Sequence, residues 1–136
     1  MVGDTSTLVN QQVDLLQAMV NLYENKGYTS IRVDIKGYSP PGWEIRVNSH
    51  YVTPDLTCFN TEGNMVILKV LTCDGFLEAE NEEKWKVLYT IADKFNGEFH
   101  IAAPRFCMGK ASNGLVERHL LHLRIPLQKV AIWTPI

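Results

Sequence analysis

Two residues stand out for the chemistry they could do. Asp55 follows a proline at a corner (Thr53-Pro54-Asp55), and Lys69 interrupts the otherwise apolar run Met65 to Leu71, MVILKVL. A carboxylate so placed can ligate a divalent cation or cap a turn. A lysine on a strand can orient an attacking water or neutralise developing charge, and an ammonium buried without a partner is costly. A purely structural ion pair between Asp55 and Lys69 is the competing reading of the same two side chains. His119 and His122 stand three apart, near Glu117, with the spacing of a metal pair but no matched third ligand. They read as solvent-facing helix histidines. His50, close to the Pro-Asp corner, could touch a phosphate or serve as a base, or be a plain loop histidine.

These residues need elements to hold them. From about Thr5 to Lys26, Leu8, Leu15, Leu16, Met19, Leu22 and Tyr23 recur at helical spacing, and Gly27 supplies a C-terminal stop. Tyr28 to Lys36 alternates Ile31, Val33 and Ile35 with Arg32, Asp34 and Lys36, the period of a half-buried strand. Gly37 to Gly42 (GYSPPG) is turn chemistry. Trp43 to Val47 and Leu56 to Phe59 read as short strands, and Met65 to Leu71 as a central strand covered on both faces. A second helix is predicted between Asn81 and Phe95, with Asn81 as cap and Trp85, Leu88, Ala92 and Phe95 on one face. Phe99 to Ala103 is a further strand, Asn113 to Arg124 a third helix, and Lys129 to Trp133 a last strand. The order is α-β-β-β-α-β-α-β, an α/β fold with a mixed central sheet and helices on both faces.

Composition sets the frame. The 136 residues suit one domain, 1–136, and 46% apolar with 21% charged residues is ordinary globular usage. A net charge of −2 gives no global attraction to a polyanion. Cys58, Cys73 and Cys107 are odd in number and form no CxxC pair, so reduced, buried thiols are expected. No stretch reaches the roughly 18 apolar residues of a membrane span, which implies a cytoplasmic location and no membrane partner.

The order of elements, with Pro54-Asp55-Leu56 just before the apolar strand, resembles the PD-(D/E)xK nuclease superfamily of restriction endonucleases and Holliday-junction resolvases. Lys26-Gly27-Tyr28 is similar to that family's helix-to-strand junction, and Phe99 to Pro104 (FHIAAP) to the strand after its second helix. The resemblance covers roughly residues 5 to 104. It implies a restriction endonuclease-like three-layer domain, with Asp55 as a metal-ligand aspartate and Asp55 and Lys69 in the catalytic positions. The family's glutamate position falls on Ile67 in Ile67-Leu68-Lys69. In a second register, Leu68-Lys69-Val70-Leu71-Thr72, Lys69 replaces the glutamate and Leu71 the lysine. Residues 67, 69 and 71 share one strand face, so either register leaves that face without one carboxylate. Where many members carry an acid on helix one, Gln12 is the inward polar residue expected here, with Asp14 and Glu24 off that face. Where recombination-type members have glutamine four residues before tyrosine, this chain has Trp85 before Tyr89.

A degenerate member of the family is therefore expected: a non-catalytic nucleic-acid-binding or protein-assembly module without a cofactor. The alternative is a divalent-metal-dependent DNA endonuclease, using Mg²⁺ or Mn²⁺, whose missing carboxylate comes from Glu44, Glu62 or Asp74. DNA is the partner that Arg32, Lys36, Arg46, Tyr38, Trp43 and Tyr51 would suit, as basic and aromatic groups around strand one. A protein partner or a second copy is suggested by the apolar stretch Val130 to Ile136, which could cover an edge strand.

Overall fold

The computed structural model describes residues 3–42, 45–47, 50–74 and 79–136, with side chains over 11–42, 51–74 and 82–136. Among the described residues three helices, α1 (Gly3–Asn25), α2 (Ala79–Lys94) and α3 (Ser112–His122), accompany nine strands. Five of these form the main sheet: β1 (Thr29–Val33), β4 (Leu56–Phe59), β5 (Met65–Val70), β6 (Glu98–Ala102) and β9 (Val130–Trp133), in the order β1-β4-β5-β6-β9. The first two pairings are antiparallel and the last two parallel, so the sheet is mixed. Two hairpins stand apart from it: β2 (Ile45–Val47) with β3 (His50–Val52), and β7 (Phe106–Cys107) with β8 (Lys110–Ala111). The elements of the main sheet and its helices run α-β-β-β-α-β-α-β along the chain.

The alternation of β5 feeds two cores. Val66, Leu68 and Val70 meet Leu15, Leu16, Met19, Val20 and Tyr23 of α1. Ile67 faces the other way, into a cluster with Trp85, Leu88 and Ala92 of α2 and Val116 and Leu120 of α3. A strand fully covered on both sides must be apolar at nearly every position, and this is why MVILKVL reads as it does. Each buried aliphatic side chain contributes about 1.5–3 kcal/mol. The helices thus lie on both faces of the sheet.

The ends of α1 and α2 are set by backbone chemistry. At the end of α1 the Tyr28 N–H bonds the Tyr23 carbonyl at 3.0 Å while Gly27, at φ +80°, reverses the chain, as its position predicts. At the end of α2 Gly97 donates to the Ala92 carbonyl at 2.7 Å after Asn96 at φ 55°. A Cβ at Gly97 would stand 2.6 Å from the Met65 carbonyl oxygen. The close approach of this turn to the start of β5 is what requires glycine.

Several expectations need correction. Phe95 is 64% exposed, because α2 ends at Lys94 and the turn carries the ring outward. Since α2 begins at Ala79, Asn81 lies inside its first turn and does not cap it. The strand expected from Trp43 falls partly outside the described residues. Its remainder, β2, pairs with β3 and not with the main sheet. The thiols are not all reduced: Cys73 and Cys107 form a disulfide, and Cys58 alone is free and buried. Val130 to Trp133 of the apolar stretch Val130 to Ile136 pairs with the molecule's own β6 and forms one margin of the sheet. No helix among the described residues is long and apolar enough to cross a membrane.

Gly97→Ala is expected to destabilise the fold by about 1–3 kcal/mol, as overpacking does. Urea unfolding should show a lower midpoint with an unchanged slope.

Candidate functional site

Asp55 sits where the chain enters β4, opposite the end of β5. Its own N–H donates to the Leu68 carbonyl at 3.0 Å, and its Oδ2 accepts the Val70 N–H at 2.7 Å. The same Oδ2 lies 3.4 Å from Lys69 Nζ, and both side chains are 17% exposed. The carboxylate therefore extends the β4–β5 ladder by one bond and neutralises the ammonium beside it. Asp55 Oδ1 has no protein partner among the described residues, so one oxygen remains available to a cation. Lys69 shares its strand face with Ile67 and Leu71, both fully buried, and no acid occupies either position.

The other acids proposed to fill that gap divide by position. Glu62 lies in the turn between β4 and β5, at the far end of those strands, the length of a four-residue strand or roughly 13 Å away. Asp74 follows Cys73 beyond the end of β5, at the same edge as Asp55, and is exposed. Glu44 lies outside the described residues, as do Trp43 and the side chains of Arg46 and His50.

Helix α1 reaches this edge through a different glutamine from the one expected. Gln12 is exposed, whereas Gln11, one turn before Leu15, is half-buried and accepts the Cys73 N–H through Oε1 at 3.0 Å. Four-residue spacing from Leu15 identifies Gln11 as inward; three-residue spacing had favoured Gln12. The loop after β5 is thus held by Gln11 on one side and by the Cys73–Cys107 disulfide on the other.

Of the histidine pair, His122 faces solvent as expected, at 73% exposed, while His119 is partly covered at 29%. His119 Nδ1 is 3.3 Å from Glu82 Oε1 on α2, and His122 Nε2 is 3.8 Å from Glu82 Oε2. His119 also packs its ring against Trp85, with centroids 5.7 Å apart. A carboxylate from the facing helix, invisible to a search along one helix, therefore clasps α2 to α3. Among the described residues no group of three or more ligating side chains is arranged to hold a metal ion. Arg32, Lys36 and Tyr51 are exposed, while Tyr38 is half-buried and hydrogen-bonds Glu24.

A second polar centre had not been anticipated. His100 on β6 is 2% exposed, and its Nδ1 lies 2.7 Å from the Tyr23 hydroxyl and 3.0 Å from Trp133 Nε1. An indole N–H can only donate, so Nδ1 accepts and the proton rests on Nε2. From there it is donated to Glu98 Oε1 at 2.9 Å, while Glu98 Oε2 accepts from Asn60. Burial holds the imidazole below its ordinary pKa, outweighing the opposite pull of Glu98. Burial would raise Glu98, but hydrogen bonds from His100 and Asn60 leave it below the usual carboxylate value. Burial followed by the nearby Glu98 charge pushes the Cys58 thiol up to about 12, so it stays protonated. The strand alternation of Glu98 and His100 was legible, but not the three elements that converge on them. A cleft of about 450 Å³, lined by Tyr89, Asp93, Glu98 and Lys129 among others, opens at this edge, away from Asp55 and Lys69.

No protein-family model matches the chain, and no curated protein matches it. Two solved structures are similar to it. One is of an EndoMS–dsDNA complex, with 12% identity and a TM-score of 0.40, covering 88% of this chain and 44% of that one. The other is a repair endonuclease from Pyrococcus abyssi, with 16% identity and a TM-score of 0.39, covering 88% of this chain and 47% of that one. The chain spans less than half the length of either.

Two outcomes follow. Asp55→Ala should cost about 1–3 kcal/mol, more than Lys69→Met, because it leaves both the Val70 N–H and the ammonium unsatisfied. Urea denaturation of the two variants side by side measures the difference, and equal losses would remove the ladder-extending role of Asp55. The second concerns pH. With both folded-state values lowered, the unfolded chain binds protons more readily, so stability is complete above about pH 6.5 and falls as pH drops below it. Glu98 adds a further loss below about pH 4.3. His100→Gln, whose amide can accept from Trp133 and donate to Glu98, should flatten the upper segment and leave the lower one.

Proposed function

We propose that this is a restriction endonuclease-like domain, a degenerate relative of the PD-(D/E)xK nucleases, that binds nucleic acid without cutting it. The observation that supports this most directly is the engagement of Asp55. Its Oδ2 is committed to the Val70 N–H and to Lys69, and the adjoining face offers Ile67 and Leu71 where a second carboxylate would be needed. Metal-assisted phosphodiester hydrolysis requires oxygen ligands that leave positions open for water and phosphate. One free carboxylate oxygen is a thin donor set for Mg²⁺, which uses one or two carboxylates together with waters and substrate oxygens. Asp55 and Lys69 then act as a structural remnant, and the end of the sheet they mark is the surface that meets a phosphate backbone.

A second reading is favoured by one position. Asp74 stands at the same edge as Asp55, and a divalent cation bridging Asp55 Oδ1 and Asp74 would restore a two-carboxylate nuclease centre. Glu62 is removed from this role by its place at the opposite end of the strands.

Mn²⁺ titration by calorimetry separates the two readings. The non-catalytic reading expects no saturable heat with wild type, and no Mg²⁺- or Mn²⁺-dependent cleavage of duplex, single-stranded or branched DNA. Saturable Mn²⁺ binding lost in both Asp55→Ala and Asp74→Ala, with cleavage lost alongside, would establish the second reading in its place.

A further inference from the structure

The β7–β8 hairpin rises from the same end of the sheet as Asp55 and Lys69. Its first strand follows β6 through Ala103 and Pro104, and the disulfide from Cys107 joins it to Cys73, three residues beyond the Val70 that Asp55 caps. The base is held from several sides. Ser112 N–H bonds the Arg105 carbonyl at 3.0 Å, closing the hairpin, and Arg105 N–H bonds the Ile136 carbonyl at 3.0 Å. Cys107 is buried, and so is Ser112, whose hydroxyl lies 3.5 Å from the Cys107 sulfur.

The turn and the outward face of the hairpin are built the opposite way. Phe106 is 69% exposed and Met108 57%, with Arg105 and Lys110 exposed beside them. Neither cation enters an ion pair among the described residues. No acidic residue occurs between Glu98 and Glu117, so this part of an otherwise net-negative chain is locally basic. The turn residues Met108 and Gly109 both have positive φ, 54° and 74°. Gly is at ease there and Asn or Asp tolerable, but an unbranched apolar side chain is not favoured. A methionine kept at a strained, exposed tip on a rigid base is the kind of outlier that points to contact with a ligand.

The geometry points to a wedge. The β7–β8 hairpin inserts Phe106 and Met108 against or between the base pairs of a double-stranded nucleic acid, with Arg105 and Lys110 on the flanking phosphates. This rests on the nucleic-acid-binding reading above and deepens it by naming the element and the duplex form. Apolar side chains flanked by cations are what unstack a base step, and the positive tip selects a polyanion over an apolar protein groove. The disulfide supplies the stiffness that insertion needs, since a hairpin free to fold back would lose the work of unstacking.

The test uses the oxidised protein and a fluorescein-labelled 30-base-pair duplex carrying 2-aminopurine. Wild type is expected to bind with a salt-dependent affinity and to raise the 2-aminopurine fluorescence. Phe106→Ala should weaken binding about tenfold and abolish the rise. Met108→Gly should do likewise while raising the thermal midpoint, because glycine relieves the turn, so its loss of binding cannot be misfolding. Lys110→Gln should lower the salt slope by about one. If wild type binds and Phe106→Ala and Met108→Gly keep both affinity and fluorescence, the wedge is wrong and the binding reading survives. If wild type shows no salt-dependent binding, both fall together. Self-association of wild type by sedimentation, lost in Phe106→Ala while duplex binding persists, would make the hairpin a contact between copies and overturn the proposal.

Discussion

Strand β5 has to be apolar on two faces at once, because α1 packs one and α2 and α3 pack the other. The rest of the molecule adjusts to that requirement. Val66, Leu68 and Val70 cannot be exchanged for Ile67 without inverting both cores, so side-chain burial forbids a one-residue slip of β5. The one charge on the strand, Lys69, is only 17% exposed and is followed by buried Val70 and Leu71, and it is there that Asp55 is needed. The Asp55 carboxylate supplies what the strand lacks at that point, a counter-charge and one more acceptor for the ladder. Position 67 holds isoleucine for the same reason. An acid at this depth would have to be matched by a metal or a cation, and the nearest cation on that face, Lys69, is already paired with Asp55, while the cluster around Ile67 is built almost wholly of apolar side chains.

The sheet carries polar machinery at both ends, and the two ends differ in what they leave unused. The His100 network is saturated: both nitrogens, both Glu98 oxygens, the Tyr23 hydroxyl and the Trp133 N–H have partners. Such a network rigidifies the packing of α1 against β6 and β9, and of its two ionisable members only Glu98 reaches solvent, at the cleft it lines. The Asp55 edge keeps a free carboxylate oxygen, an exposed Asp74 and a basic hairpin.

Much of this was legible in the residues, for identifiable reasons. The alternation in β1 and the apolar run in β5 are local patterns, as is the glycine ending α1, and each element lies near its expected place. The proximity of Asp55 and Lys69 could be inferred because the short turn between β4 and β5 forces an antiparallel pair. What stayed hidden depends on distant segments. The bridge joins cysteines 34 residues apart across α2 and β6, and no spacing rule pairs them. Glu82 meets His119 and His122 from another helix, and His100 gathers partners from α1 and β9. Gln11 was missed for a smaller reason, a rotation of 100° on a helix whose apolar stripe is wide enough to admit two choices.

The outer strands of the main sheet end abruptly. In β1 the pairing slips between Thr29 and Arg32, with Ser30 at φ 54°, so the strand bulges after its first pair. On the other side β9 offers only the four residues Val130–Trp133, with Pro126 a few residues before them and Pro135 soon after. A bulge twists an edge away from a flat neighbour, and a proline has no N–H to extend a ladder. Both margins are therefore poor templates for a further strand, and molecules crowded together gain little by continuing the sheet from one to the next. Protection from fibrous aggregation is in this way written into the backbone of the two edge strands, independently of surface charge.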